Sequence, residues 1–246
     1  MTRPLIYVGV RGDFSMFNHI ASLNNIRVLG VLDKYYYGNT DIVDGIPIIG
    51  SEDWLLDPAN EQANRWREDC DFIVTSFWSG SQHLNDTGLN NEQLRIERCD
   101  LVDQAGVNVI NLIDPDIYTT PGNNLKLGRG SLICCLAGLN RKNIVIGDHC
   151  EIDAVVSIGH NTTIGRNVII GAQTVIGNAI IEDNVRIGVH CTVVSGGPNN
   201  GSPLTIGTGS SIWMGTTVFK DVPRDSMVVP SMPRIVSKQR VLNKSQ

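Results

Sequence analysis

Two periods divide the chain. Up to about residue 112, short apolar runs alternate with stretches of helical spacing. LIYVGV (5–10) runs into Arg11-Gly12-Asp13, and FSMFNHIASL (14–23) sets Phe14, Phe17, Ile20 and Ala21 on one helix face. RVLGVLD (27–33) is a second buried run ending in Asp33, DGIPIIG (44–50) is a short extended piece, and SEDWLL (51–56) opens a helix at a serine cap. DFIVTSFW (71–78) is a third strand, NEQLRIERCDLVDQAG (91–106) a helix stopped by Gly106, and VNVINLI (107–113) a fourth strand. Strands alternating with helices predict a parallel sheet.

From Leu127 the period becomes six. Leu127, Ile133 and Leu139 are followed, after a slip of one residue, by Ile146, Ile152, Ile158, Ile164, Ile170 and Ile176. One residue is then lost before Ile181, Ile187 and Val193, and an interruption at 194–205 precedes Ile206, Ile212 and Val218. Four positions after the aliphatic residue the side chain is small or β-branched: Cys150, Val156, Thr162, Val168, Thr174, Val185, Cys191, Ser210, Thr216 and Val222. Glycine often follows the aliphatic residue directly, as at 147, 159, 165, 171 and 177. This is the signature of a hexapeptide β-helix. Three hexads make one triangular coil, so these fifteen predict about five coils. Such a rod has no cleft of its own, and each coil touches only its neighbours. Chemistry must come from outward residues and from faces that meet other chains.

Composition narrows the partners. The 246 residues are 41% hydrophobic and 18% charged, as expected of a globular protein. A net charge of −5 argues against nucleic acid or an anionic membrane as the main partner. No apolar run approaches the ~20 residues that span a bilayer, and MTRPLIYVGVRGDF lacks the pattern of a signal peptide, which predicts a cytoplasmic protein. The six cysteines (70, 99, 134, 135, 150, 191) form no CxxC and no zinc spacing, so they are expected to fill the core, with no metal site.

The hexads over roughly 127–223 resemble the left-handed β-helix acyltransferases. The whole arrangement is similar to the sugar acetyltransferase family that includes the bacillosamine-pathway N-acetyltransferases and the sialic-acid O-acetyltransferases. The matching stretches are YVGVRGD (7–13), VLD (31–33), GIPIIG (45–50), VNVINLIDP (107–115) and the closing TTVFKDVPRDSMVVPSMPR (216–234). EIDAVVSIGHNTTIG (151–165) also resembles the active-site coil of the lipid A pathway N-acyltransferases, which carry His-Asn in a similar repeat. The resemblance implies an α/β Rossmann-like domain over 1–112 that binds a nucleotide-linked amino sugar, and an all-β left-handed parallel β-helix over 113–246. It also implies a homotrimer, acetyl-CoA in the groove between prisms, and a histidine base projecting into that groove. In the family an acid usually follows this histidine; here Asn161 does.

His160 is the third residue of its hexad and should point outward. Acetyl transfer from a thioester to an amine needs a base, and imidazole has an ordinary pKa of about 6.5. It also needs an oxyanion donor. Gly177, about one coil later, should stack beside His160 and is the candidate, and Asn161 is a candidate to orient the ring. A surface histidine on a repeat corner is the bland alternative. His149 and His190 are expected to cover solvent-facing corners. Lys220, Arg224, Arg234 and Lys238 are candidate partners for the coenzyme A phosphates, or ordinary solvated charges. The loop SGGPNNGSPL (195–204) either reaches a neighbour's groove or merely connects. Gly9, Gly12 and the helix N-terminus after Asp13 form a candidate phosphate cradle, with Arg11 for a diphosphate, Asp13 for sugar or amine, and Asp33 for a ribose hydroxyl. The sequence thus predicts an acetyl-CoA-dependent sugar N-acetyltransferase. Sugar O-acetylation and a non-catalytic sugar-nucleotide-binding scaffold are the alternatives.

Overall fold

The protein's computed structural model describes residues 2–11, 13–75, 91–139, 141–195 and 201–231. Its N-terminal part is built on β1 (Leu5–Val8), α1 (Ser15–Leu23), β2 (Val28–Leu32), β3 (Ile42–Val43), β4 (Ile46–Gly50), α2 (Glu61–Asp69), β5 (Asp71–Val74) and α3 (Asn91–Gln104). The strands form one sheet in the order β3-β4-β2-β1-β5. β4, β2, β1 and β5 run parallel, and β3 closes the edge as an antiparallel hairpin through Asp44 and Gly45, both with positive φ. The apolar runs become strands because both faces are covered. Tyr7, Phe14 and Phe17 pack on one side, and Ile6, Leu55, Trp66 and Phe72 on the other. SEDWLL folds as a 3₁₀ helix, Glu52–Leu56, with Ser51 accepting the Asp53 amide. The polar helix α2 was not foreseen. It is held by the Asn60 cap and by Ala63 and Trp66 on its buried face.

The second part is a three-sided β-helix. The first face has seven rungs, from Leu112–Ile113 through Leu132–Ile133, Glu151–Ile152, Ile169–Ile170, Arg186–Ile187 and Ser211–Ile212 to Met227–Val228. The second face stacks Ser157–Ile158, Val175–Gly177, Thr192–Val194 and Thr217–Val218; the third stacks Lys126–Leu127, Ile144–Ile146, Thr162–Ile164, Ala179–Ile181 and Leu204–Ile206. All rungs are parallel, and the aliphatic row of each face points into one core that includes Ile133, Ile152, Ile170, Ile158, Ile176, Ile146, Ile164 and Ile181. Two assignments change. Residues 107–113 are not a strand of the N-terminal sheet: only Val109 bridges to Phe72, while Leu112–Ile113 already pairs with Leu132–Ile133 as the first rung of the prism. Val222 is not a corner residue, because it pairs with Ile206 and continues the third face.

The N-terminal part lies on the first face. Its outward residues Leu132, Glu151 and Ile169 are buried, and Arg186 pairs with Glu92 of α3 at 2.9 Å. Arg95, 2% exposed, anchors α3 by donating to the Asn167 side chain at 2.7 Å and the His149 carbonyl at 2.8 Å. His149 is a correction. It is fully buried, with Nε2 3.0 Å from Asp103, and not a solvent-facing corner, because α3 covers the edge it occupies. Burial outweighs the Asp103 carboxylate and holds the imidazole below its ordinary pKa. His190, on another edge, is exposed. All six cysteines are free, and five are buried.

Candidate functional site

The chain turns three corners per coil, and at most of them the last turn residue has positive φ. From the first face to the second, successive core residues are always six apart (Ile133 to Leu139, Ile152 to Ile158, Ile170 to Ile176, Ile187 to Val193, Ile212 to Val218). From the third face to the first the interval is again always six. From the second to the third it runs seven (139 to 146), six (158 to 164), five (176 to 181), thirteen (193 to 206) and four (218 to 222). Every irregularity of the repeat falls on this one edge.

His160 sits in the middle of that edge and is exposed. The turns there end in a column of left-handed asparagines, Asn143, Asn161 and Asn178, with φ of 61°, 53° and 49°. Asparagine tolerates this conformation better than most residues. Three residues (140–142) separate the core residue from the asparagine in the first coil, two (Gly159 and His160) in the second, and one (Gly177) in the third. The surface therefore steps inward coil by coil. Backbone hydrogen bonds fix the stacking. Asn161 N–H donates to the Lys142 carbonyl at 3.0 Å, and Asn178 N–H donates to the His160 carbonyl at 3.1 Å. Below His160 lies a ledge with Arg141 and Lys142; above it lies a recess floored by Gly177. A Cβ at Gly159 would come within 3.1 Å of Gly177 Cα, so that corner needs glycine for close approach of the next coil. A Cβ at Gly177 would meet only Val194 Cγ1, at 3.6 Å, so glycine there leaves open space instead.

Asn161 does not face the imidazole through any hydrogen bond in the structure. Its Oδ1 accepts from Asn143 Nδ2 at 2.9 Å, and its backbone turns the corner. Lys220 lies three coils above His160 on the same edge and is exposed. Arg224 is on a different edge, where it pairs with Asp225 at 3.1 Å, so the structure does not bring it to His160. Gly12, Arg234, Lys238 and residues 196–200 of the 195–204 loop lie outside the described residues.

The N-terminal candidates gather where β1 ends, and several are already engaged. Asp33 is 1% exposed. Its Oδ2 accepts from Val10 N–H at 2.7 Å and from Arg98 at 2.7 Å, and its Oδ1 from Tyr35 N–H at 3.0 Å. It is not open to a ribose hydroxyl, because Arg98 of α3, also paired with Glu52 at 3.1 Å, closes over it. Gly9, with φ +94°, makes room for that arginine, since a Cβ would lie 2.5 Å from Arg98 Nη1. Two amides at the start of α1 are already taken. Asp44 accepts the Phe14 N–H at 2.9 Å, and Asp13 accepts the Ser15 N–H at 2.7 Å. Its hydrogen bonds with Ser15 hold the exposed Asp13 carboxyl below its ordinary range. Arg11 lies 3.3 Å from Glu151 of the prism and 4.5 Å from the Phe17 ring centroid. The acids that fill these anchor points are ordinary Asp and Glu residues scattered along the chain, with nothing in the local sequence to mark them.

Comparison with known proteins agrees with the prism. The bacterial transferase hexapeptide (six repeats) family matches residues 143–178, the coils that carry His160. No curated protein matches the sequence. Among solved structures, the chain resembles a variant of GDP-perosamine N-acetyl transferase from Caulobacter crescentus in complex with CoA and GDP-perosamine (TM-score 0.72, 16% identity, 97% of this chain and 99% of that one). It resembles WeeI from Acinetobacter baumannii AYE (0.69, 21%, 96% and 100%). It also resembles the acetyltransferase domain of PglB from Neisseria gonorrhoeae FA1090 in complex with acetyl coenzyme A (0.69, 20%, 92% and 96%). The shared fold spans nearly the whole of each chain.

Proposed function

We propose that this chain is an acetyl-CoA-dependent N-acetyltransferase acting on a nucleotide-linked amino sugar, probed first with 4-amino-4,6-dideoxy sugars. The observation that carries the reading is the step at His160, an outward imidazole set between a cationic ledge and a glycine recess on the one irregular edge of the rod. Full-length likeness to structures described as sugar-nucleotide and acetyl-CoA complexes supports the same reaction class. In this reading the N-terminal sheet is a Rossmann-like nucleotide-sugar domain and the prism is a left-handed β-helix.

The chemistry follows from the step. His160 accepts the proton as the acceptor nitrogen attacks the thioester carbonyl, and returns it to the departing thiolate. The thioester lies over Gly177, where no side chain blocks approach to the backbone and the Gly177 N–H is the candidate oxyanion donor. The donor's arm runs along the edge toward Lys220. Asn161 serves by fixing the turn that carries His160. On the N-terminal domain, Arg11 and Asp13 face the acceptor where β1 ends, at the carboxyl end of the parallel sheet.

The chain works as a homotrimer in this reading, and its own geometry supports that. In a triangular rod, the edge carrying His160 is opposite the first face, which the N-terminal domain covers. The acceptor held by one protomer therefore serves the histidine of a neighbour. Along the edge between the first and second faces, Leu136, Val155 and Met214 are exposed. Val155 has φ +61°, a costly conformation for a β-branched residue, as expected where an apolar contact repays the strain.

The test is thiol release from acetyl-CoA with UDP-, dTDP- and GDP-linked amino sugars, comparing wild type with His160→Ala. Release with one acceptor, falling about 10²- to 10⁴-fold in the variant at unchanged thermal stability, is expected. Release only with hydroxyl acceptors would move the reading to O-acetylation. No release with any sugar would leave a binding scaffold.

A further inference from the structure

Four arginines of the described prism, Arg129, Arg166, Arg186 and Arg224, are each paired with a carboxylate. Arg141 is not in an ion pair among the described residues, and neither is its neighbour Lys142. Both are exposed. They lie in the coil directly below His160, as the Asn161 N–H to Lys142 carbonyl bond requires. Successive coils of such a stack are about 4.8 Å apart. The same corner has one residue more than the corner of His160, so the two cations stand on a ledge that projects beside the imidazole. An uncommitted arginine and lysine in a protein of net charge −5 form a local anion site, and Arg is well suited to phosphate oxygens.

Two anionic substrates meet at His160 in the proposed reaction, and the step separates them. The thioester belongs over Gly177, on the C-terminal side of the histidine, and its arm leaves toward Lys220. The ledge is on the opposite side. We propose that Arg141 and Lys142 bind the diphosphate of the nucleotide-linked acceptor, so that this group is held by the prism that supplies the base as well as by the domain that delivers it. This rests on the N-acetyltransferase reading for its reaction, but not for its binding chemistry. A nucleoside diphosphate approaching the ledge meets two adjacent exposed cations. The sugar beyond the diphosphate then reaches the imidazole one coil away.

The full-length protein, its Arg141→Ala and Lys142→Ala single variants and the double variant are compared with Lys220→Ala. Both ledge residues are exposed, so the variants should keep the wild-type melting temperature. With the acceptor identified by thiol release, the double variant should raise the acceptor KM at least tenfold and leave the acetyl-CoA KM within twofold. Lys220→Ala should do the reverse. An unchanged acceptor KM, or a rise in the acetyl-CoA KM alone, overturns the proposal. A second measurement is independent of turnover. Calorimetric titration with UDP, dTDP, GDP and CoA should show nucleoside diphosphate binding weakened about tenfold in the double variant with CoA binding retained. If the wild type transfers acetyl to nothing but this loss is seen, the ledge stands and the reaction reading falls. If nucleoside diphosphate binding is the same in both proteins, the ledge assignment is wrong whatever the enzyme does.

Discussion

Two edges of the same rod obey different rules. Between the first and second faces, the interval between core residues never departs from six. Between the second and third it takes five different values in five coils. The difference has a physical cause. A change of one residue within a strand turns every later side chain to the wrong face, so registry on the faces cannot drift. A corner is different, because residues added or lost there only bulge outward or draw inward, provided the next strand starts in register. The regular edges hold the stack together, and the variable edge carries His160, a ledge, a recess and an excursion at 194–205. Keeping all variation on one edge gives a featureless rod a shaped surface.

The sharpest way to break this contrast is to move the irregularity. Inserting one glycine between Val155 and Val156, on the regular edge, should remove the folded prism, because Val156 is fully buried and its neighbours cannot shift independently. Inserting one glycine after Gly177 should leave cooperative unfolding intact and abolish acetyl transfer, since it fills the recess. Circular dichroism melts of the two insertions decide between them, and equal damage would mean that the edges do not differ.

Core truncation tests the shared part of the two edges. Ile170→Ala, in the middle of the first face and fully buried, should cost about 2–5 kcal/mol in urea unfolding. Gly177→Ala sharpens the comparison on the variable side. Its φ is not in the left-handed region and an added Cβ meets only Val194, so stability should stay within about 0.5 kcal/mol. The methyl would stand where the thioester is proposed to lie, and should raise the acetyl-CoA KM about tenfold. A KM equal to wild type would place the thioester elsewhere.

The smallest expected effect is on the third edge, where His149 links the rod to α3. Its folded pKa is depressed, so the unfolded chain binds the extra proton first as pH falls. Stability should be level above about pH 6.5 and decline as pH drops from there toward the folded value. Asp103, held below its ordinary range by the His149 bond and the flanking arginines against the pull of burial, should add a further loss at lower pH, through the ordinary carboxylate range. His149→Asn should lower stability at neutral pH but flatten the slope just below pH 6.5, measured as the midpoint of urea unfolding against pH.

Much of the rod was legible from residues alone. A hexad places one aliphatic side chain inward per strand, so Ile146, Ile152 and Ile158 announce both the prism and the outward direction of His160. Coil length puts Gly177 one coil above the corner of His160, and the structure stacks it directly on Gly159. What could not be read were relations between distant segments. Residues 107–113 look like a strand of either domain, and only pairing with Leu132–Ile133 assigns their end to the prism. His149 and His190 occupy equivalent hexad positions in similar contexts, IGDHC and IGVHC, yet one is buried and the other exposed, because α3 covers one edge and not the other. Asp33 stands where a ribose ligand is expected and is instead sealed by Arg98, sixty-five residues away.

The sequence by itself determined the six-residue period, the slip after Leu139, the loss after Ile176 and the position of His160 within its hexad, because each is a local count along one strand of chain. Only the tertiary structure decided that those slips share one edge, that Arg141 and Lys142 form the rung beneath the histidine, and that the N-terminal domain covers the face opposite it. These are statements about which coil lies over which and what packs on what. They depend on the sum of all corner lengths and on long-range pairing, and no local window of residues contains them.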